Sequence, residues 1–319
     1  MPPTRHKLRG TNRLLLRYES RMIEALDFDT LTPDEPIRIP PARPTARLYL
    51  PRPLPRPGRS SAVVMLTSSA GVQHHRELYY ASALAAAGIA ACVVDSFRPR
   101  GVRSTVADQS LVSAFQMECD AVAALRLLRA RPDIDPARIA VRGVSTGGVV
   151  AVNTAISVRA RWRGVGDVFA AHVAICPGAV AQHRDARTTG APLFMMLAEH
   201  DDYTPASFAI DYAQRLRAAG NDRIRVKVYK AHHGWESIGP VYAIRNAQNY
   251  SRCPNLIEDD GTHFVPAAGR AMSEADYRSW VRDNGLLFMG AHAGGGTQAL
   301  RHRATGDILR FLAECGFGP

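Results

Sequence analysis

From Ser61 onward the apolar residues gather in short continuous runs, separated by stretches in which they recur every three or four positions. The runs are Ala62 to Leu66, Ile89 to Val94, Ile139 to Val141, His172 to Cys176, Leu193 to Leu197 and Ile224 to Tyr229. Near-continuous apolar runs of this length fit strands covered on both faces, as in a parallel sheet. Between them, His75 to Ala87, Val112 to Ala130, Gly147 to Val158 and Ala206 to Ala219 carry the spacing of helices. Strand alternating with helix predicts an α/β fold, a mostly parallel central sheet with helices on both faces. Past Gly234 the periodicity stops: residues 235–295 are mixed and glycine-rich, and Gln298 to Cys315 reads as a last amphipathic helix.

Upstream, the apolar positions Leu14, Leu15, Tyr18, Met22, Ile23 and Leu26 predict a helix over Thr11 to Leu26. Its neighbours Glu19, Glu24, Asp27 and Asp29 oppose an anionic membrane surface and favour packing on the domain. The proline-rich stretch from Pro33 to Pro57 holds two alternating runs, Ile37-Arg38-Ile39 and Ala46 to Leu50, which predict strands at a sheet edge, where proline is tolerated. The chain therefore divides into an N-terminal segment, 1–60, and an α/β domain, 61–319. Within that domain 235–295 is an insertion that forms a lid or pocket wall, or only pads the sheet edge.

Composition changes this picture little. At 319 residues the chain can bury a large core. The net charge of +11 comes almost wholly from arginine, because Lys7, Lys227 and Lys230 are the only lysines. The basic residues are dispersed without a run or interleaved aromatics, so neither nucleic acid nor an anionic surface is the expected partner. Five well-separated cysteines (Cys92, Cys119, Cys176, Cys253, Cys315) without a Cys-x-x-Cys indicate neither a disulfide framework nor a zinc site, and His74-His75 has no ligand partner at metal spacing. Leu78 to Val94 is interrupted by Gly88 and too short to span a bilayer, and Leu14 to Leu16 is flanked at once by Arg13 and Arg17. The expectation is a cytoplasmic protein needing no cofactor and no metal, acting on a small molecule; oligomeric state is not legible.

The chemistry begins at Gly143-Val144-Ser145-Thr146-Gly147. A buried strand that reverses sharply into a helix at a serine flanked by glycines is the pattern of a nucleophile elbow. A serine hydroxyl needs a base to take its proton and an acid to orient that base. Candidates follow in hydrolase order. The strand Leu193 to Leu197 leads to Asp201 and Asp202, and the strand ending at Tyr229 leads to His232 and His233. Thr146 N–H, directly after the nucleophile, would be one oxyanion donor.

Four segments in the same order resemble the dienelactone hydrolase family of α/β hydrolases. They are Asp95-Ser96-Phe97-Arg98-Pro99-Arg100-Gly101, the elbow from Gly143 to Gly148, the acid loop from Glu199 to Pro205, and Ala231 to Trp235. The resemblance spans Ala62 to Trp235 and implies an α/β-hydrolase fold. It makes Ser145 the nucleophile, Asp201 the acid, because it stands four residues before Pro205, and His233 the base, because it immediately precedes Gly234. It places Ser69 N–H at the oxyanion hole, although Thr67 and Ser68 stand where many relatives carry histidine and glycine. Serine occupies the position where the founding members carry cysteine. Arg98, Arg100 and Trp235 are candidate substrate-binding residues, with a structural ion pair as the alternative for the two arginines. The implied activity is that of a serine hydrolase cleaving a carboxylic ester or lactone. The alternatives are an amidase, peptidase or acyltransferase with the same triad, and a non-catalytic binding protein on a hydrolase scaffold.

Overall fold

A computed structural model describes residues 22–33, 37–51 and 59–318 of the chain. Strands β1 (Met22–Asp27), β2 (Thr45–Leu50), β3 (Ser60–Leu66), β4 (Ala90–Asp95), β5 (Ile134–Val144), β6 (His172–Ile175), β7 (Ala181–His183), β8 (Leu193–Ala198) and β9 (Ile224–Tyr229) alternate with helices. These are α1 (Tyr79–Ala86), preceded by a π-turn over His74–Leu78, α2 (Ala114–Arg129), α3 (Thr146–Asn153), α4 (Ser157–Trp162) and α5 (Ala206–Ala218). All except β7 among the strands join one eight-stranded sheet in the order β1-β2-β4-β3-β5-β6-β8-β9. From β4 to β9 it is parallel, and β1 and β2 add antiparallel at one edge.

Side-chain alternation along the strands splits the interior in two. Ala62, Val64 and Leu66 of β3 join one apolar cluster with residues of α2, α3 and α5. Val63 and Met65 join the other, with α1 and the C-terminal helix. Both faces are thus covered, which is why the strands read as continuous apolar runs.

Three local expectations differ from the fold. Met22–Asp27, the end of the helix expected over Thr11 to Leu26, is a strand, because its backbone pairs with β2 from Met22↔Leu50 to Asp27↔Thr45. The rest of that helix lies outside the described residues. Ile37-Arg38-Ile39 forms no strand, and Ile37 instead lines the main cavity. The single helix expected over Gly147 to Val158 breaks between α3 and α4. There Ile156 is extended and bridges Thr188, and Ser157 N donates to Arg187 O. Tertiary pairing overrides helical periodicity at that point.

The segment after β9 builds a second layer from short pieces: β10 (Tyr242–Ala243), β11 (Gln248–Asn249), β12 (Asn255–Ile257), β13 (His263–Val265), β14 (Arg270–Met272), β15 (Phe288–Met289) and β16 (His292–Ala293), with helix α6 (Glu274–Asp283). It is tied to the main body where β12 runs parallel to β7, in a sheet ordered β14-β13-β12-β7. Cys253, Val265, Met272, Tyr277 and Val281 give it a small core of its own. Helix α7 (Gln298–Glu314), capped by Thr297, then returns to the sheet. Among the described residues no helix is long and apolar enough to cross a membrane.

Candidate active site

Ser145 stands at the apex between β5 and α3 with φ 54° and ψ −116°. A positive φ is strained for a residue with a side chain, and among the described residues only Cys176 shares it outside glycine. The turn is held by close approach. A Cβ on Gly143 would sit 1.9 Å from Gly147 O, and one on Gly147 would sit 2.5 Å from Thr67 O. Glycine is required there by packing, since neither residue has a positive φ. Ser145 N donates to Ile175 O at 2.8 Å, which ties the elbow to β6.

The loops after β8 and β9 bring the other groups to the same carboxyl end of the sheet. Glu199 N donates to Tyr229 O and His200 N to Ala231 O, both at 2.9 Å, so the two loops travel together. His233 Nε2 lies 2.9 Å from Ser145 Oγ, and Nδ1 lies 2.9 Å from Asp201 Oδ2. Asp201 is fixed from its other side, because Oδ1 accepts the N–H groups of Tyr203 (3.0 Å) and Thr204 (2.7 Å). Asp202 turns away to His292, with 2.7 Å between Oδ2 and Nδ1. The ring of His232 stacks obliquely on His200 at 5.5 Å. Of the neighbouring candidates, His233 contacts Ser145 and Asp201 contacts His233, whereas Asp202 pairs with His292 and His232 lies against His200.

All three side chains are buried. Burial disfavours the imidazolium of His233, but the Asp201 carboxylate more than offsets this and holds the histidine above its ordinary pKa of 6.5. Glu236 adds to the rise and Arg76 opposes it. For Asp201, desolvation is outweighed by His233 and by its hydrogen bonds, and the carboxyl lies below its ordinary range.

Three neighbours were not singled out in the sequence. The hydroxyl of Thr204 lies 2.9 Å from Asp201 Oδ2, 3.1 Å from His233 Nδ1 and 3.1 Å from Cys176 O, so its single proton reaches one of the two oxygens at a time. Its place three residues after an aspartate is that of a side-chain-closed turn, and that spacing was the available signal. The Tyr203 ring meets His233 edge-on at 4.9 Å. The Cys176 thiol is pushed well up by burial and by Asp201. Cys176, Asp201 and His233 form a compact donor cluster, but a thiol held protonated is a poor metal ligand.

Thr146 opens α3, where the first N–H groups have no acceptor within the helix. With Ser145 it lines a cavity of about 210 Å³. Ser69 is buried on the loop after β3 and lines a second cavity of about 180 Å³ with His233; Tyr203 borders both. That loop is pinned by Arg76, which donates to Ser68 Oγ at 2.7 Å and pairs with Glu77 at 2.7 Å. Phe115, Trp162, Phe208 and Val149 give the larger cavity an apolar wall, completed by Tyr250, His263 and Tyr277 from the segment after β9. Its charged residues are already paired: Arg159 with Glu118 at 2.5 Å, and Arg278 with Glu274 at 2.6 Å.

The expected substrate-binding residues are elsewhere. Arg100 is held in a two-pronged pair with the buried Asp120, at 2.7 and 2.9 Å, so its guanidinium is already spent. Arg98 points to solvent beside Asp95 and lines neither cavity. Trp235 is fully buried against Tyr229, with 4.6 Å between ring centroids, and belongs to the core. A bulky aromatic at the end of an apolar strand is drawn under the site rather than into it.

Comparison with known proteins agrees with this architecture. Solved structures of Thermogutta terrifontis esterase 2, phosphoramylated by tabun or phosphonylated by cyclosarin, superpose with TM-scores of 0.55 and 0.56 at 15% and 16% identity. They cover 94% and 92% of this chain and 96% and 95% of theirs. A Klebsiella pneumoniae structure described as a dienelactone hydrolase superposes with a TM-score of 0.51 at 20% identity, covering 68% of this chain and 89% of its own. No curated protein matches. The sequence profile of the dienelactone hydrolase family matches residues 46–250, well over half of the chain. The chain therefore belongs to the dienelactone hydrolase family, with the α/β-hydrolase fold, and is a carboxylic ester hydrolase.

Proposed function

We propose that Ser145 is the nucleophile, His233 the general base and Asp201 the group that orients it, in hydrolysis of a small carboxylic ester or lactone through an acyl-enzyme. The observation that carries this reading is the unbroken line of contacts Ser145 Oγ, His233 Nε2, His233 Nδ1 and Asp201 Oδ2, 2.9 Å at each hydrogen bond, at the wall of a cavity. His233 Nε2 takes the hydroxyl proton as Ser145 Oγ bonds to the carbonyl carbon. The tetrahedral oxyanion is held by the N–H groups of Thr146 and Ser69. Collapse breaks the bond to the alcohol oxygen, which receives the proton from His233, and water repeats the cycle on the acyl-enzyme.

Because His233 lines the smaller cavity, the alcohol side of the ester lies there and the acyl group lies in the larger one. The arginines of the larger cavity each have a carboxylate partner, Arg159 sharing Glu118 with Arg163, and the wall is aromatic, which suits an apolar acyl group. The segment 235–295 serves as pocket wall.

Kinetics on p-nitrophenyl esters test the reading. Ser145→Ala and His233→Ala each lose about 10⁴-fold or more in kcat. Turnover unchanged in Ser145→Ala would overturn it. The parent's kcat/KM falls on acidification with a midpoint above the ordinary histidine value of 6.5, since only neutral His233 can accept a proton and Asp201 stabilises the charged form.

A further inference from the structure

Behind the site, on the face covered by α1 and α7, lies a set of buried charges for which the fold alone gives no reason. Arg142 belongs to β5, three residues before Ser145, and is 1% exposed; Glu236 follows His233 by three residues and is fully buried. Their closest approach, Nη2 to Oε1, is 3.7 Å, beyond hydrogen-bond distance. Among the described residues, no protein group hydrogen-bonds the guanidinium nitrogens of Arg142, either carboxylate oxygen of Glu236, the Tyr80 hydroxyl or Trp235 Nε1. Arg142 instead lies over the Tyr80 ring at 4.2 Å, a cation–π contact. A buried pair with this geometry recovers little of its desolvation cost, so apolar residues would serve folding as well or better. One end of the pair stands on the strand that presents the nucleophile and the other on the loop that presents the base.

We infer that Arg142 and Glu236 are positioning residues. Their pair clamps the His233 loop to the Ser145 strand, and the Glu236 carboxylate sets how readily His233 holds a proton. The inference rests on His233 being the general base. The groups facing His233 from the elements around it are Ser145 at the end of β5, Cys176 after β6, Asp201 and Tyr203 after β8, Arg76 of the π-turn, and Glu236 on its own loop. Glu236 in turn faces Arg142 of β5, His75 and Arg76 of the π-turn, and Tyr80 of α1. Arg76, Glu77, Arg142 and Glu236 carry two charges of each sign, so removal of either member of the pair leaves an uncompensated charge near His233. Loss of Glu236 makes His233 less basic; loss of Arg142 frees the Glu236 charge and makes it more basic. A purely structural clamp would not move the proton affinity in opposite directions.

The experiment is the pH profile of kcat/KM for p-nitrophenyl acetate in the parent, Glu236→Gln, Arg142→Met and the double variant. The acid-limb midpoint is expected to fall by roughly half a unit or more in Glu236→Gln, the effect of one elementary charge across a protein interior. It is expected to rise in Arg142→Met and to return close to the parent's position in the double variant, which removes both charges of the pair. A limb in Glu236→Gln, or in Arg142→Met where Glu236→Gln does not fold, that coincides with the parent's overturns the inference. A parent without a Ser145-dependent acid limb would instead contradict the reading of His233 as base.

Discussion

The carboxyl edge of the parallel sheet and the segment after β9 face each other across the main cavity, and they are built on different principles. At the edge, each chemical group follows a strand of the central sheet: Ser145 after β5, Asp201 after β8, His233 after β9. Strand pairing fixes where these loops begin, and hydrogen bonds between loops fix where they end. The segment after β9 holds itself together with strands of two or three residues and a small private core. It meets the edge at Gln109, at Asp202 and at His233 itself, whose backbone bridges Ala293 and accepts from Gly294 N at 2.8 Å. On the proposed reading the contrast separates chemistry from recognition, and the edge is expected to tolerate less change than the wall of the segment.

Glycine substitution gives the largest contrast. Gly143→Ala forces a Cβ to within 1.9 Å of a backbone carbonyl and is expected to cost more than about 3 kcal/mol. Thermal unfolding should show Tm lower by roughly 6 °C or more. Gly269→Ala, in the segment, has open space around it and only a φ of 65° to resist it, for about 1 kcal/mol. Equal losses in the two variants would break the comparison. Next comes Thr204→Val, which removes the hydroxyl shared by Asp201, His233 and Cys176. A fall of about tenfold in kcat with KM little changed is expected from the loss of one buried hydrogen bond to a charged group. A smaller effect is expected from Tyr277→Ala in the segment. It should shift preference toward bulkier acyl groups several-fold, leaving acetate turnover within about threefold of the parent. A collapse of acetate turnover would make the segment part of the catalytic machinery.

The same contrast explains what could be read from the chain. The strands β3, β4, β6 and β8 were legible because strands buried on both faces leave continuous apolar runs, and the elbow because close packing at Gly143 and Gly147 admits no other residue. Asp201 and Asp202, and likewise His232 and His233, have the same chemistry and adjacent positions. Only three-dimensional contacts, or resemblance to relatives, separate them. Met22–Asp27 was misread because its apolar residues also fit a helical spacing, and pairing with β2 decides the matter. Arg100 stayed open between substrate binding and an ion pair because nothing local announces that Asp120, twenty residues on, takes its guanidinium. The segment after β9 was illegible because strands so short carry no periodicity, and its role depends on tertiary contacts with β7 and with the loops of the site.

The central claim is that Ser145 is the nucleophile, and the most direct measurement is covalent capture. The protein, treated with a fluorophosphonate and examined by intact mass and peptide mapping, is expected to gain one adduct, on Ser145, in step with loss of esterase activity, and Ser145→Ala is expected to gain none. An adduct on another residue that accounts for the lost activity, or equal labelling of Ser145→Ala, would contradict the account.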